Sequence, residues 1–192
     1  YKRQDITSDS NDDPRYMWQT HYRAIAAANQ AIQAIYDLGD PASLAPQKAE
    51  ALMCRAYAHF VLANVFCLPY NPETADKDMG IPYSEKPETQ VIVKYERGTM
   101  AQLYEKINAD IEAALPYISD DVYTVPKYHF NKKAAYAFAT RFNLFYIKPD
   151  KSNYQKVVEY ATQVLGSNPD RALRQMTNYI PLGAGDVTNA YV

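Results

Sequence analysis

EALMCRAYAHFVLANVFCLPYN, residues 50–71, is the stretch that decides the fold. Leu52, Ala56, Phe60, Ala63 and Phe66 recur at intervals of three and four, which places them on one face of a helix over about Pro46 to Phe66. The helix is apolar, yet it keeps Arg55, His59 and Asn64. A mostly buried arginine needs a carboxylate or carbonyl partner, and Asp110, on a helical face of its own, is the first candidate. Asn29 and Asn64 are expected to hydrogen-bond between packed helices, and His59 to be partly buried and hydrogen-bonded. After Cys67 the chain leaves the helix abruptly through Leu68-Pro69-Tyr70-Asn71.

Working outward, the same periodicity repeats. Trp18, Tyr22, Ile25, Ala28, Ile32 and Ile35 make one apolar face of a helix from Pro14 to about Leu38, stopped by Gly39. Asp40-Pro41 could open the next helix, or that helix could begin only after Pro46. Pro69, Pro72, Pro82 and Pro87 with Gly80 make residues 67–96 a long loop, and long loops in compact domains are often functional. Thr99 and Gln102 have capping-box spacing ahead of Leu103, Ile107 and Ile111. A second tyrosine-containing loop covers 117–130. Asn131 then caps a helix carrying Ala134, Phe138, Phe142 (or Arg141) and Phe145, broken at Pro149. A further helix spans about Asn153 to Leu165, with Tyr154, Val157, Ala161 and Val164 inward, and Asn168-Pro169 opens a short one. The expected fold is all-α, built as tetratricopeptide-like stacked helix pairs with long loop insertions. Residues 1–13 read as a polar tail, 14–177 as the helical domain and 178–192 as an irregular end.

Composition narrows the function. With 20 Lys+Arg, 22 Asp+Glu and no long like-charge block, the chain lacks the basic patch that nucleic acid or an anionic membrane surface requires. No run reaches transmembrane length. The chain starts Tyr1-Lys2-Arg3-Gln4 rather than with Met, so the lack of a leader carries no information. Cys54 and Cys67 lie about 20 Å apart along a helix, too far to bridge. His21, His59 and His129 show no metal-ligand spacing, and Asp76-Lys77-Asp78 with Gly80 lacks the remaining ligands of a calcium loop. No nucleophile elbow, phosphate loop or zinc motif occurs, so neither an enzyme nor a cofactor is expected. The 18 tyrosines, by contrast, suit both helix-layer packing and binding surfaces.

Five segments together carry a resemblance. Glu50-Ala51-Leu52 with Arg55-Ala56-Tyr57, Phe60 and Phe66 resembles the "EA…RAY" signature of the SusD/RagB family. Trp18 to Asn29 is similar to the helix that precedes it there. RGTMAQLYEKINADIEAALP (97–116), NKKAAYAFATRFNL (131–144) and Tyr154 to Gly166 resemble the helices that follow. Cys67 departs from the family, which often has Gly there. The likeness covers the N-terminal helical part of longer proteins.

The resemblance implies a lipid-anchored protein at the surface of the outer membrane of Bacteroidetes. It would capture an oligosaccharide and deliver it to a SusC-like TonB-dependent transporter. Peptide capture, and a helical module that only docks the transporter, are the other roles it allows. Within it, Arg55, Tyr57, Asp110 and Asn29 are structural signature residues. Tyr70, Asn71 and Tyr83 in the first loop, then Tyr123 and Tyr128 in the second, are the candidates for ligand or partner contact. Tyrosine rings stack on sugar C–H faces, and rigid scaffolds concentrate binding residues on loops.

Overall fold

A computed structural model describes residues 13–90 and 93–173. The described residues form five α-helices in order: α1 (Pro14–Asp37), α2 (Ala45–Phe66), α3 (Met100–Ala114), α4 (Lys132–Phe145) and α5 (Asn153–Leu165). Single 3₁₀ turns lie at Ala42–Leu44, Leu115–Tyr117, Pro126–Tyr128 and Pro169–Ala172. Among the described residues the only β pairing is an isolated bridge between Met79 and Thr99. The architecture is the all-α stack of helix pairs that the periodicity implies.

Local chemistry sets the helix ends. Asp13 caps α1 by accepting from the Arg15 N–H at 2.8 Å, with Pro14 in the first turn, so this residue is a buried cap and not part of a tail. Residues 1–12 and 178–192, expected to be tail and irregular end, lie outside the described residues. Gly39, at φ 85°, ends α1 in the left-handed region where a side chain would be strained. Thr99 and Gln102 exchange both hydrogen bonds of a capping box at the start of α3. The Asn131 side chain caps α4 through the Ala134 N–H at 2.9 Å.

α2 is the centre of the molecule. α1 packs on one side of it and α3 on another, while α4 and α5 pair with each other. Its buried residues run from Ala49 to Ala63 and surround the axis, including Met53, Ala58 and Leu62 outside the stripe read from the sequence. A helix enclosed by neighbours is apolar all round rather than on one face. Phe60 touches Tyr104, Phe138, Phe142 and Phe145, which joins α2, α3 and α4 in one aromatic core.

Other expectations fail here too: Phe145, read as part of the α4 stripe, is 42% exposed. Asn64 is exposed, and its side chain donates to the Phe60 carbonyl one turn back at 2.7 Å instead of bridging helices. On α5, Tyr160 is buried and Tyr154 is exposed, because α5 turns toward Glu112 of α3, which receives the Tyr160 hydroxyl at 2.9 Å. Helical spacing could not show which end of that face meets an acceptor.

Candidate functional site: an aromatic groove between α2 and α4

Arg55 is buried and fully engaged. Its Nε and Nη2 donate to the two Asp110 oxygens at 2.7 Å each, and Nη1 donates to Asn29 Oδ1 at 3.0 Å and to the Glu85 carbonyl at 3.1 Å. Burial alone pulls the guanidinium down, but the Asp110 bonds outweigh it and leave it above its ordinary value. Asp110 is therefore the partner the sequence suggested. The clamp also fastens the first loop, since Asn29 donates to the Ser84 carbonyl at 3.0 Å.

The same clamp also engages Tyr83. Its hydroxyl donates to Asp110 at 2.5 Å and its ring stacks on His59 with centroids 3.9 Å apart. Burial first, then the Asp110 charge, pushes its ionisation far above the usual tyrosine range, so it stays a donor. Asn71 is exposed and shapes the loop locally: its side-chain oxygen accepts from the Glu73 N–H and its carbonyl from Thr74 and Ala75. Tyr70 is half-buried against Tyr104 and Tyr146, at 4.7 and 5.1 Å. Tyr123 stacks on His129 at 4.2 Å, with its hydroxyl buried beside Glu50.

Tyr128 is the one exposed ring among the candidate tyrosines, at 87% exposure. It stands at the rim of a groove of about 560 Å³ between α2 and α4, a size common for small-ligand sites. Three rings floor the groove: Tyr57 lies 5.8 Å from Phe130 and 5.2 Å from Phe138. Tyr57, expected to be structural only, is 38% exposed and gives part of its surface to this groove. Polar groups surround the rings. Glu50 accepts from His129 Nδ1 at 2.8 Å and from the Phe130 N–H at 3.3 Å, and Lys127 and Arg141 complete the wall. Cys54 also lines it, with a thiol pushed up to about 11 by burial and then by Glu50, which keeps it unreactive. Sequence reasoning missed the groove because Glu50 and Phe130 are brought together across 80 residues.

A second groove, of about 670 Å³, carries exposed Tyr36 and Tyr117 between α1, α2 and α3. It is less suited to a ligand ring. The Lys48 ammonium sits 4.4 Å over the Tyr36 face, and the Arg55–Asp110 pair along its wall already has its hydrogen bonds filled from within. Open ring faces with nearby donors and acceptors are found between α2 and α4.

Comparison with known proteins agrees with this architecture. A family model described as starch-binding, associating with the outer membrane, matches residues 1–144. No curated protein matches. Among solved structures, a SusD superfamily protein of Bacteroides thetaiotaomicron superposes with a TM-score of 0.67 at 29% identity, over 84% of this chain and 34% of that one. A SusD superfamily protein of Bacteroides vulgatus gives 0.69 at 22% identity, over 87% and 37%. A laminarin-binding SusD-like protein gives 0.58 at 22%, over 80% and 30%. The chain thus spans about a third of the length of the structures it matches. A model match over three quarters of the chain, on helices that superpose on SusD superfamily structures, establishes that this chain belongs to the SusD-like family.

Proposed function

We propose that this chain serves to capture oligosaccharides at the outer-membrane surface, for delivery to a SusC-like TonB-dependent transporter. Anchoring there would be through lipid. The role is binding, with no bond made or broken. The observation that carries the reading is the groove between α2 and α4, where Tyr57, Phe130 and Phe138 floor a space rimmed by exposed Tyr128. Aromatic faces accept the C–H faces of a sugar ring, while Tyr hydroxyls and charged walls fix its hydroxyls. The family description, and the laminarin bound by one structural neighbour, support sugar as the ligand class.

Calorimetric titration of the full-length protein with an oligosaccharide panel tests the reading. Saturable binding that falls about 10-fold in Tyr128→Ala, roughly the upper end of one aromatic contact, supports it. Binding of short peptides but of no sugar would replace it with peptide capture.

A further inference from the structure

We propose that the groove between α2 and α4 selects acidic oligosaccharides, those bearing uronate carboxylates or sulfate esters. The inference rests on the sugar-binding reading and adds the ligand's charge. The whole chain has more acids than bases, 22 against 20, yet residues 122–149 contain no Asp or Glu. The same segment holds Lys127, Lys132, Lys133, Arg141 and Lys148, and it forms one wall of the groove.

The wall's cations are available. Lys48, Lys106 and Lys156 each lie within 2.7 Å of a carboxylate oxygen. Lys127 and Arg141 have no such partner among the described residues. The Arg141 guanidinium is instead held over the Phe60 and Phe145 rings, at 5.9 and 6.0 Å. A guanidinium held against rings keeps its donors free for a carboxylate or sulfate, which it can grip with two parallel bonds. Lys133 lies on the same face of α4, at spacings of four and eight before Ala137 and Arg141. Among the described residues Glu50 is the one carboxylate lining the groove, and His129 and the Phe130 N–H hold its Oε1.

Helix stability does not account for the charge. Lys132 and Lys133 occupy the first turn of α4, where the macrodipole disfavours cations. Asp120 answers only the Lys132 backbone N–H, at 2.7 Å, and pairs with neither ammonium. Lys133, on the helix face that carries Arg141, adds positive charge beyond the groove's own lining cations, Lys127 and Arg141.

The test is titration of the full-length protein with oligogalacturonate, a sulfated uronate-free galactan oligosaccharide, maltopentaose, laminaripentaose and hexaglutamate. The expected result is acidic sugars bound at least about 10-fold tighter than neutral ones at low salt, with the advantage shrinking as salt is added. Lys127→Gln and Arg141→Gln should each weaken acidic sugars about 3- to 10-fold and neutral sugars by a smaller factor, while Arg141→Lys, which keeps the charge but not the two-pronged grip, should recover only part of the affinity. The two acidic sugars separate the sources: only oligogalacturonate should weaken as pH falls through the uronate range. Neutral sugars binding as well as acidic ones, with Tyr128→Ala still damaging, would overturn the charge preference and leave the sugar reading standing. Sugar binding indifferent to Tyr128 and to both cations would overturn both. Hexaglutamate binding tighter than any sugar, and lost in the charge variants, would overturn the proposal in favour of an acidic protein segment.

Discussion

At Arg55, one side chain holds α2, α3, α1 and a loop together, because each of its donors finds a different acceptor. Removing one partner of such a pair leaves the other charge buried, which typically costs about 3–5 kcal/mol. Asp110→Ala should lose stability on that scale in urea denaturation. In Arg55→Met/Asp110→Ala the loss should be smaller than the sum of the two single losses by more than about 1 kcal/mol. His59, fully buried, has its tautomer fixed by its neighbours. Nδ1 faces the Arg55 carbonyl at 2.8 Å and must donate, while Nε2 receives the Ser84 N–H at 3.2 Å and must accept. Burial first, then the Arg55 and Lys106 charges, lowers the imidazole from 6.5 to about 3. Below pH 6.5 the unfolded chain therefore takes up a proton that the folded chain refuses, so stability falls with pH until about pH 3. Between pH 7 and pH 5 the loss from this group should be about 2 kcal/mol. Denaturation midpoints of the wild type and His59→Gln at both pH values check it: the variant should show a flatter pH dependence.

At the scale of elements, residues 80–83 of the loop between α2 and α3 are held by hydrogen bonds to α1, to α3 and to the loop's own Arg97. Tyr22 donates to the Pro82 carbonyl at 2.8 Å, Arg97 Nε to the Gly80 carbonyl at 2.7 Å, and Tyr83 to Asp110. Gly80 makes this close approach possible, since a Cβ there would stand 3.0 Å from the Thr99 carbonyl oxygen and 3.3 Å from Leu103 Cδ2. Gly80→Ala should therefore cost about 1–3 kcal/mol, read as a lowered Tm, because the obstacle is backbone and buried side chain. Elements whose signals are local are legible in the sequence alone. Capping at Thr99 and Asn131, the stop at Gly39 and the extent of α5 all follow from residues within a turn of each other. The role of Tyr83 is not legible there, because its acceptor lies 27 residues away. The groove is half legible. Tyr128 follows from loop position, while Tyr57, Glu50 and Arg141 join it only once α2 and α4 pack.

Across the whole molecule, stability is distributed unevenly. α2 is enclosed by α1 and α3 and by the aromatic core around Phe60, so its amides should open only with global unfolding. α5 lies at the edge. It buries only Asn153 and Tyr160, and leaves Tyr154, Val158 and Leu165 exposed. Its polar ties are few: Asn153 donates to the Asn143 carbonyl at 2.8 Å, and Lys156 and Tyr160 both reach Glu112, at 2.7 and 2.9 Å. A segment with few buried contacts opens at lower free energy than the core. Glu112→Ala removes two of these ties at once and leaves the groove between α2 and α4 untouched, since neither Glu112 nor α5 lines it. Hydrogen exchange of this variant should speed up about 10-fold in Asn153–Leu165, the effect of a loss near 1.4 kcal/mol, with α2 amides unchanged. Equal acceleration in α2 would mean that the stack opens as one unit. Ligand titration of the same variant should match the wild type, because the floor rings and the cationic wall belong to the part of the stack that stays closed.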